Sequence, residues 1–333
     1  MKPGRLGVYL TAAATAFGVA LIPQPGASAA ATDCTYTHSG LVPLNDLGTG
    51  TYNGLTGGLY PNGSNVRPTA HTNAGVDIAQ NQVLPRNASG QVDLVNGKVV
   101  LISIGMSNTT QEFQKFIATS KAYANLNGKL VIVDGAQGGK DASAWANSAD
   151  ATWSVLATRL SSAGVTPAQV QAVWLKEQYV GDNLGAFPQG AQNLRDSLAS
   201  ILRNARTNYP NLALGYVASR IYTYDPARSA GAYQQGWAVK KLIQDQINGA
   251  SDLTYGPGGV APWLSWGPYM WADGLGADGV AGGTPGRSDG LEWACSDLVT
   301  DRVHPSATGQ QKVANMLLNQ LSTDPTSTPW FNK

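Results

Sequence analysis

Three side chains scattered along this sequence have the types and spacing for nucleophilic acyl chemistry. Ser107 stands in "VVLISIGMSNTTQEF" (Val99–Phe113), where an apolar run stops and a helical pattern starts. A serine hydroxyl is a weak nucleophile until a base takes its proton. The chain offers three histidines for that role, His38, His71 and His304. His38 lies in a loop-like stretch near Cys34, and His71 lies in "RPTAHTNAG". Both read as surface or structural positions, although His71 could line a cleft. His304 differs, because "TDRVHPSATGQQKVANML" places Asp301 three residues before it on a loop bounded by Pro305 and a helical segment. That spacing lets a carboxylate reach the imidazole across a turn and fix its orientation and tautomer. Taken alone, Asp-x-x-His also fits a turn aspartate beside a helix-flanking histidine. Its meaning comes from a serine placed after the first core strand.

The elements that would carry these groups follow from periodicity. Lys98–Gly105, Lys129–Gly135, Ala172–Lys176 and Leu212–Ala218 are short apolar runs suited to buried parallel strands. Helical patterns fall over Thr110–Ala124, Ala151–Ala163, Ala191–Tyr209, Ala232–Gly249 and Thr308–Leu321. Such alternation implies a parallel sheet covered on both faces, and ligands bind beyond the carboxyl ends of its strands. Ser107, Gly138, Gly139 and Lys176 all fall at or just after a strand end, so chain order brings them to one edge. Thr109 and Glu112 have the spacing of a capping box, which starts a helix right behind Ser107 and aims its positive end at the serine. Gly138-Gly139 also fits a plain tight turn.

The chain ends and composition bound the setting. Lys2 and Arg5, the apolar stretch Leu6–Ile22 and Ala27-Ser28-Ala29 describe a secretory signal peptide over residues 1–29. Residues 30–96, rich in Gly, Asn, Pro and Thr, read as a loop-rich extension with room for short strands over the sheet edge, and residues 97–333 as the main domain. Export makes Cys34 and Cys295, the only cysteines, candidates for a disulfide. Closing so long a loop contributes about 4–5 kcal/mol in the chain-entropy model, less if strained. Two separate buried thiols are the alternative. The formal charge is +1, and removal of Lys2 and Arg5 turns it to −1. With no basic run, nucleic acid is a poor partner. No P-loop and no metal-ligand cluster stands in the sequence, and no acidic pair is singled out. No cofactor, metal or membrane anchor is expected, and the product is expected to be a secreted monomer.

Gly105-Met106-Ser107-Asn108, Gly138-Gly139 and Asp301-Arg302-Val303-His304-Pro305 together resemble the SGNH hydrolases, the GDSL-type esterases and lipases. The resemblance covers residues 98–321. It implies a three-layer α/β/α sandwich with a five-stranded parallel sheet, of flavodoxin-like type. Ser107 then resembles the nucleophile, His304 the general base and Asp301 its orienting carboxylate. The backbone N–H groups of Ser107 and Gly139 would be oxyanion donors, each typically worth a few kcal/mol in the transition state. Two departures stand out. Met106 replaces the family's usual Asp, and no Gly-x-Asn-Asp stretch follows the third strand to supply the third donor. "VWLKEQYVGDN" stands there and resembles the Trp-x-Gln-Gly-Glu segment of sialate O-acetylesterase-like carbohydrate esterases, with Lys176 at the Gln position. "GGKDASAW" resembles their Gly-Gly-x-x-x-x-x-Trp segment. Lys176 could donate to an oxyanion or pair with a carboxylate, and Gln178 and Asn183 are rivals for the role.

Substrate signals are softer. "APWLSWGPYMWADG" holds Trp263, Trp266, Tyr269 and Trp271, which could stack on sugar rings or fill a core; Trp266 and Trp271 are the candidates for substrate. Arg220, in "SRIYTYDPARS" after the fourth strand, could meet a polar ligand or serve as an ion-pair partner. The expectation is a serine ester hydrolase removing acetyl or other short acyl groups from a small molecule or polysaccharide. A lipase or general carboxylesterase, a non-catalytic carbohydrate-binding protein on this fold, and an acyltransferase are the alternatives.

Overall fold

Val99–Gly105 reads VVLISIG and is buried at every position, because its strand is covered on both faces. The computed structural model describes Met1, residues 34–182 and residues 184–333. The signal peptide expected over residues 1–29 falls, Met1 apart, outside the described residues, as does Asn183. In chain order the helices are α1 (Leu44–Leu47), α2 (Thr69–Asn81), α3 (Ser107–Ser120), α4 (Ala142–Ala146), α5 (Ala151–Ser162), α6 (Gln189–Asn208), α7 (Pro226–Ile247), α8 (Ala307–Thr323) and α9 (Thr328–Phe331). The strands are β1 (Thr51–Tyr52), β2 (Leu55–Thr56), β3 (Val99–Gly105), β4 (Leu130–Val133), β5 (Val170–Lys176), β6 (Leu214–Val217) and β7 (Trp263–Trp266).

Strands β3 to β7 form one parallel sheet in the order β4-β3-β5-β6-β7, while β1 and β2 make a separate antiparallel hairpin. Helices α3 and α8 pack together on one side, and α6 packs on α4 and α7 on the other. This is the three-layer α/β/α sandwich and the flavodoxin-like strand order. Its topological switch point lies between β3 and β5, the place where open α/β sheets bind ligands beyond the carboxyl ends of their strands. Ser107 directly follows β3 there, and residues 177–182 follow β5.

The fifth strand, β7, lies inside the aromatic stretch. Trp263 and Trp266 are buried in it, and Tyr269, Met270 and Trp271 are buried just beyond. The dense aromatics therefore build the core. A helix, α2, also stands in the supposedly loop-rich extension. Its sequence TAHTNAGVDIAQN has too few apolar residues to announce a buried face, but it covers the edge strand β7. The His71 ring stacks on Trp263 at 4.8 Å and bonds the Leu264 carbonyl at 2.7 Å, and Trp263 Nε1 donates to the His71 carbonyl. Any side chain at Gly75 would run into the Trp263 ring. The extension thus shields a sheet edge that would otherwise offer unpaired N–H and C=O groups. His71 is buried in this packing.

Cys34 and Cys295 form a disulfide with Cα atoms 5.8 Å apart across 261 residues of sequence. It pins Cys34 to a loop shortly before Asp301 and His304. Among the described residues, no helix is long and apolar enough to cross a membrane.

Candidate active site

Chain turns from strand to helix within two residues at the end of β3, which is possible because position 105 is glycine. A side chain there would collide with Thr109 Oγ1 and the Lys176 carbonyl. Met106 is the extended N-cap residue, and Ser107 is already the first residue of α3. At that position helix geometry leaves the backbone N–H without an intrahelical acceptor, and the positive end of the helix dipole faces it. The capping box expected from Thr109 and Glu112 does not form, and Met106 makes no side-chain cap. Thr109 Oγ1 instead donates to the Lys176 carbonyl at 2.7 Å, and Glu112 is buried against Lys176 Nζ. Tertiary partners on β5 outcompete the local backbone for both side chains.

The loop before α8 brings the base to the serine. Ser107 Oγ lies 2.7 Å from His304 Nε2, and His304 Nδ1 lies 2.6 Å from Asp301 Oδ2. The other oxygen, Asp301 Oδ1, accepts from the backbone N–H groups of Val303 and His304, each at 2.9 Å. With Nδ1–H donating to Asp301, Nε2 is free to accept from the serine hydroxyl. Burial pushes the Asp301 carboxyl up, but the His304 and Val303 N–H groups and the imidazole more than offset this and hold it below the usual carboxylate range. The consequence for loop stability has a definite sign. It is present above the unfolded carboxyl value and lost as pH falls through the folded one. Asp301 is accordingly expected to stay ionised as pH falls into the ordinary carboxylate range, so the acid limb of a kcat/KM profile should show no proton uptake by Asp301 there. A proton-uptake step in the ordinary carboxylate range that Asp301→Asn abolishes would contradict this arrangement.

Gly138 and Gly139 form the turn after β4, facing Ser107. A Cβ at Gly138 would lie 3.9 Å from Ser107 Cβ, and the space over Gly139, whose φ is +72°, is open. That left-handed backbone favours glycine, because a Cβ would strain it. The segment continues into Asp141, which caps α4 through Ser143 and Ala144 N–H and accepts from Val180 N–H at 3.1 Å. Trp145 is buried, and its Nε1 reaches back to the Gly105 carbonyl at 3.3 Å. The two loops that resembled carbohydrate-esterase segments are thus bound to each other and to the end of β3.

Several site candidates are placed elsewhere. Lys176 Nζ touches both Glu112 oxygens at 2.5 Å, with side-chain exposures of 2% and 0%. Its ammonium is committed to that carboxylate and is not presented to an oxyanion. Burial pushes Glu112 up and Lys176 down, each toward its neutral form, against their mutual attraction. Gln178 donates its amide to Asp182. Arg220 is buried and pairs with Asp182 at 3.3 Å, so it is the structural ion-pair partner and not a ligand contact. Trp266 is buried with its Nε1 on the Leu59 carbonyl, and Trp271 is fully buried. Neither ring offers a face to a substrate, because the strand and the loop after it point them inward.

Sequence reading assigned no role to Asn108, although its buried amide donates to the Val303 carbonyl at 2.9 Å. It also missed the destination of Glu112. A signal was present there: Thr109, Glu112, Phe113, Phe116 and Ser120 form the buried stripe of α3. A carboxylate on that stripe needs a buried cation.

Fold and site define an α/β sandwich with a Ser–His–Asp hydrogen-bonded chain at its switch point. Among solved structures, the chain is similar to a carbohydrate esterase family 3 protein from Talaromyces cellulolyticus, at 15% identity and TM-score 0.36, over 67% of this chain and 96% of that one. It is also similar to the acetyl xylan esterase AlAXEase, at 13% identity and TM-score 0.40, over 66% and 98%. A third similar structure is a protein from Arabidopsis thaliana, at 14% identity and TM-score 0.35, over 63% and 67%. No family model matches the sequence, and no curated protein matches it. The chemistry has to be read from the site's own atoms.

Proposed function

We propose that this protein is a secreted serine ester hydrolase that removes acetyl or other short acyl groups from carbohydrate. The observation that carries the reading is the continuous chain Ser107 Oγ–His304 Nε2, 2.7 Å, and His304 Nδ1–Asp301 Oδ2, 2.6 Å. In the reaction His304 takes the Ser107 proton as Oγ attacks the ester carbonyl. The Ser107 and Gly139 N–H groups receive the oxyanion, and the imidazolium returns the proton to the departing alcohol oxygen. Water, deprotonated by the same imidazole, then releases the acid from the acyl-serine.

The openness of the site supports a short acyl group and a bulky alcohol. The His304 and Asp301 side chains are 31% and 48% exposed. Among the described residues nothing lies within 4 Å of where a Gly139 Cβ would stand, and the neighbouring loops are held by polar contacts. An ester displayed on a polyhydroxylated surface can reach such a serine, whereas a long acyl chain gains little from it. Cys34–Cys295 supports an oxidising, extracellular setting.

The test compares acyl release from p-nitrophenyl esters of graded chain length with acetate release from acetylated xylan. Acetyl esters are expected to be preferred, with xylan deacetylated. Preference for long chains would favour the lipase reading. Transfer to an added sugar acceptor in excess of hydrolysis would favour an acyltransferase.

A further inference from the structure

We propose that Asn108 is a positioning residue that ties the loop carrying the base to the helix carrying the nucleophile, and so sets the Ser107–His304 distance. The proposal rests on the esterase reading above. Loop 299–305 is braced from within. Val299 N–H donates to the His304 carbonyl and Arg302 N–H to the Val299 carbonyl, both at 2.9 Å, and Asp301 gathers the Val303 and His304 N–H groups. These bonds keep its shape but would move with it as a unit. Arg302 sits at φ +61°, left-handed backbone that is uncommon for a residue with a side chain. A turn of this kind needs outside anchors.

The anchors fall on two successive carbonyls. Thr223 Oγ1 and Tyr224 N–H donate to the Arg302 carbonyl at 2.7 and 3.1 Å, holding the loop to the chain that follows β6. Asn108 Nδ2 donates to the Val303 carbonyl at 2.9 Å, and this bond comes from the first turn of α3 itself. Ser107 is bonded covalently to Asn108, and Val303 to His304. The Nδ2–carbonyl bond and the Oγ–Nε2 bond therefore close a small ring containing both reacting groups. Within that ring, one buried amide ties the loop of the base directly to the helix of the nucleophile. The amide's oxygen lies 3.5 Å from Ser107 Oγ, which leaves the imidazole as the better-placed acceptor for the hydroxyl. Displacing a reacting group by about 1 Å can cost 10²-fold in rate.

The experiment uses the full chain with Asn108→Ala, the near-isosteric Asn108→Asp, Thr223→Val and the Ser107→Ala control. A carboxylate at position 108 keeps the volume but meets the Val303 carbonyl without a proton to donate. Asn108→Ala and Asn108→Asp are each expected to lower kcat by about 10–100-fold. KM on a soluble acetyl ester should stay within about twofold, because substrate binding is untouched. Covalent labelling of Ser107 by a fluorophosphonate should slow in the same ratio, and Thr223→Val should act in the same direction more weakly. If the alanine variant fails to fold, the aspartate variant and its labelling rate decide alone. Unchanged kcat in a folded Asn108 variant, or a loss confined to KM, overturns the positioning role. An inactive Ser107→Ala beside fully active Asn108 variants sinks this proposal only, whereas an active Ser107→Ala sinks the esterase mechanism itself.

Discussion

Replacing Ser107 with alanine should lower kcat for ester hydrolysis by about 10⁴–10⁶-fold, with the protein still folded. In the proposed mechanism this hydroxyl forms the acyl bond, and it lies 2.7 Å from His304 Nε2, the proposed base. What would survive are the proposed oxyanion donors, the Ser107 and Gly139 N–H groups, and in serine hydrolases such donors with substrate binding leave a residual acceleration of about 10³–10⁴ over water. Folding should be spared because the lost Oγ bond leaves no buried orphan. His304 Nε2 belongs to a side chain that is 31% exposed, so water can replace the serine. Steady-state hydrolysis of p-nitrophenyl acetate by the variant, with far-UV circular dichroism as the folding control, tests this. Retained activity would move the nucleophile elsewhere.

Breaking the Glu112–Lys176 pair on one side should be among the most destabilising single changes in this chain. Both side chains are buried behind the nucleophile's helix, and each is the other's counter-charge. Removing one partner leaves an uncompensated buried group, which costs about 3–5 kcal/mol. Lys176→Met and Glu112→Leu are each expected to lose that much in urea unfolding, read as a shift in midpoint at unchanged slope. The double variant should recover most of it, because an apolar pair of similar volume requires no desolvation of charge. It also discriminates the role of Lys176. An oxyanion donor is worth about 10²–10³-fold in kcat, so a folded double variant lacking a donor would be that much slower. Wild-type turnover in it is expected, since Lys176 Nζ is held on Glu112.

The comparison between residues and structure separates by the range of the interaction. Strands β3 and β5 could be read to within about two residues, because an apolar run covered on both faces has no other stable placement. Strand β7 could not, because WLSW is aromatic on both faces and carries no alternation. Helix α2 could not either, since its burial depends on the Trp263 ring it covers and not on a stripe of its own. At the site, Thr109 and Glu112 have the spacing of a capping box, yet the β5 chain beside them supplies a carbonyl and an ammonium that bind them better. Trp266, Trp271 and Arg220 kept one of their two readings each: side-chain type allowed contact with a sugar, and burial removed it.

By itself the sequence determined the alternating α/β pattern and named Ser107, Asp301 and His304 as candidates for one edge of the sheet. Local periodicity and short spacings encode those. Only the tertiary structure decided that His304 reaches Ser107 across 197 positions of sequence and that Lys176 turns to Glu112. It also decided that Asn108 binds the loop of the base. Each of these is a contact between elements distant in sequence. Its energy comes from hydrogen bonds and charges that find partners only when the sheet brings β3, β5 and the last loop to one edge.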